Sequence, residues 1–228
     1  LRAANQQLQA DVAERKRMEE KIRASLREKE VLLKEVHHRV KNNMQVISSI
    51  LNLQSRYIKN NHTLKVFADS QNRIRSMALV HEKLYESEDL AKIDFAEYVR
   101  SMTSYLLGLH GAGNSIRFDI DIKDILLDVN TAIPCGLIIN ELVSNSLKYA
   151  FPKGRGGEIY ICLHLAEDDK FTLTVKDNGI GLPKGLDFRK TESLGMQLVI
   201  MLTEQLDGSI EVDIKKGTTF KIRFEAAG

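Results

Sequence analysis

The first 110 or so residues contain no proline and almost no glycine, and their apolar side chains recur at alternating spacings of three and four. This composition favours helix. A period of 3.5 residues, kept over about eight heptads from Leu1 to Tyr57, is typical of a coiled coil. Sixty such residues would form a rod of roughly 90 Å. The N-terminal half is therefore predicted to consist of long helices.

The apolar positions of this heptad repeat form two rows along the helix, the seam rows of the predicted coiled coil. Further along the first helix the apolar face widens, because Met44, Leu51 and Ile58 fall beside these rows. A face this wide indicates several partner helices, as in a four-helix bundle. A turn at 59–61 and a second amphipathic helix over about 63–86 complete an antiparallel hairpin. Such a hairpin buries its remaining face by pairing with a copy of itself. We therefore expect a homodimer, although the polar interruptions of the seam leave a monomer open.

The rest of the chain alternates strands with helices. A third helix is predicted from the N-cap Asp94 to about Leu109, and glycines then indicate a boundary. Strands are predicted at 116–122, 158–165, 171–176, 209–214 and 218–224, with helices over 131–150 and 194–206. Helices on one face of a mixed sheet form an α/β sandwich. The predicted fold is thus α plus α/β, a coiled coil and helical hairpin followed by this sandwich.

The strongest local signal is the segment Asp177-Asn178-Gly179-Ile180-Gly181 at the end of a predicted strand. A carboxylate at this point can accept a hydrogen bond from an exocyclic amine. The two glycines permit backbone conformations and close approaches that a Cβ would forbid. Taken alone, a strand that ends in Asp-x-Gly is often only a turn.

A helix about thirty residues upstream carries a polar row. Glu141, Asn145 and Lys148 stand at i, i+4 and i+7 and so share a face. A carboxylate, an amide oxygen and a lysine suit a hard cation and phosphate. The blocks Ser193–Met196, whose helix N-terminus can receive phosphate oxygens, and Gly217–Thr219 follow downstream.

In order and spacing, these four blocks resemble the ATPase superfamily that joins DNA gyrase, the heat-shock chaperone ATPases, mismatch-repair proteins and histidine kinases. The resemblance spans residues 136–224 and implies ATP and Mg²⁺ as cofactors. It implies that Asn145 holds Mg²⁺, that Glu141 positions metal or water, and that Asp177 reads the adenine amine. The implied nucleotide-binding residues are Asn145, Lys148, Tyr149, Asp177, Gly179, Gly181, Leu194, Gly195 and Thr218.

The resemblance also implies a mobile lid over residues 181–195, which contain Pro183, Lys184, Gly185, Arg189 and Lys190. Ser193 stands where many relatives have glycine, so the details of the lid differ from theirs.

Two adjacent histidines lie on the first helix, and the heptad register separates them. His37 shares its row with apolar residues and is predicted to point into the bundle. His38 lies on the row farthest from the seam and is predicted to be exposed. A nucleophile that meets a separate ATP domain must be exposed, so the register selects His38. Glu35, at i−3, can reach the His38 ring; our hypothesis is that it fixes the ring tautomer for catalysis.

The segment Glu35–Asn43 resembles the phosphoacceptor box of sensor histidine kinases with an H-R-x-K-N box, relatives of the HWE group. With the ATPase blocks downstream, the resemblance covers about residues 31–224. The chain departs from the HWE group proper because it has no Trp and has Asn140 where those kinases have His. In the more common histidine kinases an acidic residue follows the acceptor, where this chain has Arg39.

This resemblance implies a protein-histidine kinase that autophosphorylates His38 from Mg–ATP and passes the phosphoryl group to an aspartate of a response-regulator receiver domain. The implied parts are a coiled-coil signalling linker (1–30), a dimerisation and phosphotransfer hairpin (31–90), a connecting helix and linker (91–113) and a catalytic ATP-binding domain (114–228). A sensor domain is expected upstream of Leu1.

The composition and charge of the chain argue against some classes of binding partner. A net charge of +2 and an aromatic content of 6% give no case for binding nucleic acid. No apolar run is long enough to cross a bilayer, and two cysteines without metal-ligand spacing favour a reducing compartment. We therefore expect a cytoplasmic fragment. Two alternatives remain open: an ATPase or Ser kinase of the same fold, and a non-enzymatic dimerisation module.

Overall fold

A computed structural model describes residues 2–86, 92–110, 115–166, 170–183, 188–190 and 193–225. Its helices are α1 (Arg2–Ser55), α2 (Asn61–Glu86), α3 (Phe95–His110), α4 (Val129–Asn145, continued by a π-helical turn, Ser146–Ala150) and α5 (Leu194–Gln205). Its strands are β1 (Lys92–Asp94), β2 (Ile116–Ile122), β3 (Leu126–Asp128), β4 (Gly157–Leu165), β5 (Lys170–Asp177), β6 (Ser209–Asp213) and β7 (Thr218–Glu225). None of the described helices is both long enough and apolar enough to span a membrane.

The helices α1 and α2 form the predicted antiparallel hairpin. Asn60 caps α2, since its side-chain oxygen accepts a hydrogen bond from the Thr63 N–H at 3.3 Å. Across the hairpin, the Lys41 ammonium lies 2.7 Å from the Glu82 carboxylate, and Gln71 donates to the Ser48 carbonyl at 3.4 Å. These contacts fix which residues of the two helices lie at the same level.

A stripe of large apolar side chains on α1 stays exposed in the single chain. It includes members of both predicted seam rows, and we call it the apolar stripe: Val12, Ile22, Leu26, Leu33, Val36, Val46, Ile47, Ile50 and Leu53. Large apolar side chains exposed in such number on one helix indicate an interaction surface.

The C-terminal part is an α/β sandwich built on a five-stranded sheet of order β2-β4-β5-β7-β6. The strands β2 and β4 are parallel, and the other neighbours are antiparallel. The strands predicted at 158–165 and 171–176 pair with each other, with Cys162 opposite Thr174, and those predicted at 209–214 and 218–224 pair with Val212 opposite Phe220. Alternate residues of β5 are buried beneath the helices, as half-buried strands require. The predicted fold class is therefore confirmed.

The third helix begins where it was predicted to begin. The Asp94 side chain accepts a hydrogen bond from the Glu97 N–H at 3.0 Å and caps it. Its apolar face is almost completely buried against the sheet and α4: Phe95, Tyr98, Val99, Met102 and Leu106. The helix that was expected to serve as a connection thus packs into the C-terminal core.

The helix α4 carries the predicted polar row and is the most buried helix of the chain's described part. Asp128 caps it by accepting hydrogen bonds from the backbone N–H groups of Asn130 and Thr131 at 2.7 and 3.2 Å. Because the helix begins at Val129, Pro134 lies in its second turn rather than its first. The helix is held between the sheet, α5 and α2, so its polar row faces the hairpin.

Candidate nucleotide and phosphoacceptor sites

Asp177 ends β5 as a buried carboxylate, with only 4% of the residue exposed. Its Oδ1 accepts hydrogen bonds from the backbone N–H of Gly179 at 2.9 Å and of Thr218 at 3.2 Å. Its Oδ2 accepts a hydrogen bond from the Ser146 hydroxyl at 3.0 Å. Three donors therefore hold the carboxylate in one orientation, and Oδ2, which accepts only one of these hydrogen bonds, keeps a second lone pair for a ligand.

A cavity of about 170 Å³ lies in front of this carboxylate. Its walls include the predicted residues Tyr149, Gly181 and Thr218. The remaining walls are mostly apolar: Leu142, Leu182, Phe188, Met196 and Phe220. A narrow apolar slot with one buried acceptor suits a flat heteroaromatic ring that carries an amine. The adenine group therefore fits the residues that are present.

Three glycines around Asp177 are required by close backbone approaches. A Cβ on Gly179 would overlap Ala150, and one on Gly217 would overlap the Asp177 carbonyl. Gly217 has φ +79° and Gly181 has φ +76°, a region that side chains disfavour. The predicted reason for glycine in this segment is thus confirmed, and Gly217 is as constrained as the other two.

The predicted polar row lines a second cleft of about 270 Å³ at the other end of the slot. Six predicted site residues meet there: Glu141, Asn145, Lys148, Tyr149, Leu194 and Gly195. A Cβ on Gly195 would overlap the Glu141 carboxylate, so glycine lets the start of α5 touch this group. Asn145 also lines the apolar slot and joins the two cavities. An amide oxygen, a carboxylate and a lysine at a helix N-terminus fit a magnesium triphosphate.

The wall of this cleft opposite α4 comes from α2, which the sequence analysis did not predict. Arg73 binds Glu141 through two hydrogen bonds of 2.7 and 2.9 Å. The Asp69 carboxylate lies 2.6 Å from the Lys148 ammonium. The hydrogen bond with Glu141 raises the pKa of Arg73 above its usual range, although burial acts in the opposite direction. In sequence, Asp69 and Arg73 look like ordinary surface charges of a helix, which is why they were missed.

The two histidines of α1 have the predicted orientations. His38 is exposed, whereas His37 is only 7% exposed. The His37 Nδ1 lies 3.1 Å from the Nδ1 of His81 on α2. His81 is thus a hydrogen-bonded residue of the contact between α1 and α2. The role of His38 as phosphoacceptor stays a prediction.

The structure gives different contacts to Glu35 and Asn42, the α1 side chains at i−3 and i+4 relative to His38. The Glu35 carboxylate accepts a hydrogen bond from the Arg39 Nε at 2.7 Å, and its role towards His38 stays a prediction. The Asn42 side-chain amide lies 3.4 Å from the His38 Nδ1. Asn42 is the last residue of the H-R-x-K-N box, to which the sequence assigned no separate role; its i+4 position relative to His38 was a signal for this contact.

His38 and the cleft around Glu141 lie at different levels of the hairpin. His37 contacts His81, whereas the residue that binds Glu141 is Arg73, eight residues earlier on α2. Eight residues of helix rise about 12 Å. The cleft therefore sits roughly two helical turns along the hairpin from the level of His38.

The predicted lid lies partly outside the described residues. Lys184 and Gly185 are outside them, as is the side chain of Lys190. Arg189 is described and donates to the Ile210 carbonyl at 3.3 Å, which ties this segment to β6.

Comparison with known proteins identifies the family. Residues 35–110 match a family described as histidine kinase, and residues 130–228 match the histidine kinase-, DNA gyrase B- and HSP90-like ATPases. The sensor histidine kinase PdtaS of Mycobacterium tuberculosis is 33% identical over 205 residues, which cover 88% of this chain and 39% of that protein. The chain belongs to the histidine kinases. The predicted enzyme class, a protein-histidine kinase, is thereby confirmed at the level of the family, and the second match implies ATP binding.

Other relatives agree with this assignment. Blue-light-activated histidine kinase 2 of Erythrobacter litoralis is 26% identical over 195 residues, which cover 82% of this chain and 54% of that protein. The solved structure of the blue-light activated histidine kinase EL346 of the same organism superposes with a TM-score of 0.66 at 23% identity, covering 86% of this chain and 59% of that one. This structural similarity shows the fold of the chain. This chain matches about two fifths of the length of PdtaS.

Proposed function

We propose that this chain is the transmitter part of a two-component sensor kinase. It binds Mg–ATP in the α/β domain, transfers the γ-phosphoryl group to His38 and then passes it to an aspartate of a receiver domain. The observation that carries the proposal is the presence on one chain of an exposed histidine on a helical hairpin and a nucleotide slot with a buried acceptor. A sensor domain upstream and a cytoplasmic location belong to the same proposal.

The α/β domain recognises adenine through Asp177. Its carboxylate, fixed by Gly179, Thr218 and Ser146, accepts the exocyclic amine, while the apolar walls exclude water from the ring faces. Tyr149, which is 69% exposed, covers the mouth of the slot beside the base. A buried acceptor rejects a purine that offers a carbonyl there, because two acceptors would face each other.

The cleft beside α5 holds the phosphates. Lys148 and the backbone N–H groups at the start of α5 bind phosphate oxygens. The Asn145 amide oxygen and the Glu141 carboxylate are the side chains that would hold Mg²⁺ and its water. When bound, Mg²⁺ supplies positive charge that offsets the charge on the triphosphate.

His38 performs the chemical step. A neutral ring nitrogen with a free lone pair attacks the γ-phosphorus, so a P–N bond forms while the P–O bond to ADP breaks. The proton on the other ring nitrogen is then held by a neighbouring acceptor. Glu35, at i−3 on α1, would accept it once its carboxylate leaves Arg39. The Asn42 side-chain nitrogen lies 3.4 Å from the His38 Nδ1, so Asn42 would take this role only with its amide turned to present the oxygen. If Glu35→Gln autophosphorylates at the normal rate, Glu35 does not have this role; a loss in Asn42→Leu alone would assign the role to Asn42.

Transfer requires movement of the α/β domain. The cleft lies about 12 Å along the hairpin from the level of His38, so the domain must shift to bring the γ-phosphate to the ring. Lids and domain hinges in enzymes move on comparable scales.

The apolar stripe of α1 supports a homodimer. A second copy would bury the two seam rows in a four-helix bundle and extend the coiled coil upstream. His38 lies away from these rows and stays accessible to a receiver domain in such a bundle.

The proposal is tested by incubating the chain with γ-labelled ATP and Mg²⁺. We expect label on the protein that is lost in acid and kept in base, followed by transfer to a purified receiver domain. Label with the opposite stability would indicate a Ser kinase. ATP hydrolysis without labelling would indicate an ATPase, and the absence of nucleotide binding would leave a helical dimerisation module.

A further inference from the structure

The helix α2 presents a row of side chains that matches the polar row of α4. Asp69, Arg73 and Ser76 follow at i, i+4 and i+7 and so share one face of α2. Asp69 pairs with Lys148 and Arg73 with Glu141. The Ser76 hydroxyl donates to the Asn140 side-chain oxygen at 3.1 Å. Two ion pairs and one neutral hydrogen bond thus join the two rows.

The Arg73–Glu141 pair is the strongest of these contacts. The exposed fractions of the two side chains are 14% and 8%, and the two parallel hydrogen bonds match the geometry of a guanidinium and a carboxylate. The pair also sits at the start of α5, because a Cβ on Gly195 would lie 3.7 Å from the Arg73 Nη2. Arg73 therefore reaches into the place where the phosphates enter.

Two of the α4 residues that α2 binds, Glu141 and Lys148, belong to the set that would hold a magnesium triphosphate. While Arg73 donates to both oxygens of Glu141, its positive charge lies against the carboxylate and opposes the approach of a metal ion. Lys148 offers less positive charge to a phosphate while Asp69 lies 2.6 Å away, and the Asp69 carboxylate itself repels phosphate oxygens.

We propose that α2 is a built-in competitor of the nucleotide: Arg73 and Asp69 occupy Glu141 and Lys148, and Mg–ATP must displace them. This inference rests on the proposed function, since it concerns the same ATP site. In the docked state the cleft lies two turns from His38, so the same displacement frees the α/β domain to move towards the phosphoacceptor. Arg73 is thus a positioning residue that couples nucleotide binding to release of the hairpin.

The coupling between docking and nucleotide binding predicts whether removal of Arg73 raises or lowers the affinity for nucleotide. Removal of Arg73 leaves the Glu141 carboxylate buried and unpaired in the docked state, whereas in the released state water solvates it. The docked state is therefore destabilised and the binding-competent fraction rises. Because the apparent dissociation constant is the intrinsic one divided by that fraction, the variant should bind nucleotide more tightly.

The experiment measures the binding of a non-hydrolysable ATP analogue with Mg²⁺ to the full chain by calorimetry. We expect Arg73→Ala to lower the Kd at least about fivefold and Asp69→Asn to lower it by a smaller factor. Arg73→Lys should give an intermediate value, because lysine keeps the charge and loses the bidentate geometry. Arg75→Ala is the matched control: its guanidinium lies over the Tyr105 ring and makes no hydrogen bond or ion pair with α4 among the described residues, so its Kd should equal that of the wild type.

Autophosphorylation gives a second readout that a purely structural role would not move. Competition predicts a lower KM for ATP in Arg73→Ala and a saturating rate within about twofold of the wild type. An unchanged or higher Kd in Arg73→Ala, with normal binding by the wild type, would overturn the inference and leave the proposed function intact. Failure of both proteins to bind the analogue would overturn the proposed function itself.

Discussion

The Nδ1 atoms of His37 and His81 lie 3.1 Å apart and join α1 to α2 one residue away from His38. Their rings are tilted by 39°, with centroids 5.4 Å apart. Burial lowers the pKa of His81, and the charge of His37 lowers it further. The hairpin next to the acceptor therefore favours an uncharged His81.

Stability should consequently depend on pH. Below pH 6.5 the unfolded chain binds a proton at His81 that the folded chain resists, so stability rises with pH in this region. The stability that the uncharged His81 contributes is complete above about pH 6.5. It is lost as the pH falls through the lowered His81 pKa of the folded state. Denaturant unfolding at pH 7.5 and 5.5 measures the difference. His81→Gln should reduce it, whereas His164→Gln, at an exposed position of β4, should leave it unchanged; equal pH slopes in all three proteins would contradict this account.

Asp177→Asn should weaken nucleotide binding by roughly 10- to 100-fold, the cost of about 1.5–3 kcal/mol for a hydrogen bond to a charged group. The amide keeps the size of the carboxylate but directs an NH₂ group at donors that now have no acceptor. Calorimetry with Mg–ATP measures the change. Asp213→Asn, at an exposed position at the end of β6, is the control and should bind normally. Equal affinity in the two variants would show that Asp177 does not read the base.

Gly217→Ala should destabilise the fold by about 1–3 kcal/mol, because its φ is +79° and the added Cβ overlaps the Asp177 carbonyl. Gly108→Ala is the opposite case, since a Cβ there meets nothing within 4 Å and alanine favours the exposed helix by up to about 1 kcal/mol. Denaturant unfolding should therefore shift in opposite directions for the two variants. A neutral Gly217→Ala would mean that this loop is not held as described.

The apolar stripe should mediate dimerisation. Ile47 is 43% exposed in the single chain and belongs to a seam row, so Ile47→Glu should convert a dimer into a monomer in light scattering. Gln45→Glu places the same charge on the row of His38, away from the seam, and should remain dimeric. Dimers in both variants would place the interface elsewhere.

Local patterns predicted much of this molecule. The 3.5-residue period separated His37 from His38, and the exposures of the two follow it. The spacing of Glu141, Asn145 and Lys148 placed them on one face, and the cleft contains all three. The glycines around Asp177 were predicted from their chemistry, and close backbone approaches explain them.

The contacts of α2 with α4 could not be predicted in this way. Arg73 and Glu141 are 68 residues apart in sequence, and helix periodicity carries no information on which charge of one helix meets which charge of another. The packing of α3 into the core could not be predicted for the same reason. The sequence predicted this helix and its N-cap Asp94, but the surface against which it packs depends on tertiary structure.

The most direct measurement compares labelling by γ-labelled ATP in the wild-type chain, His38→Gln and His37→Gln. The account predicts acid-labile label in the wild type, none in His38→Gln and some in His37→Gln. Circular dichroism should show an intact fold in His38→Gln, because that side chain is exposed. Label retained by a folded His38→Gln protein would show that the exposed imidazole of α1 is not the phosphoacceptor.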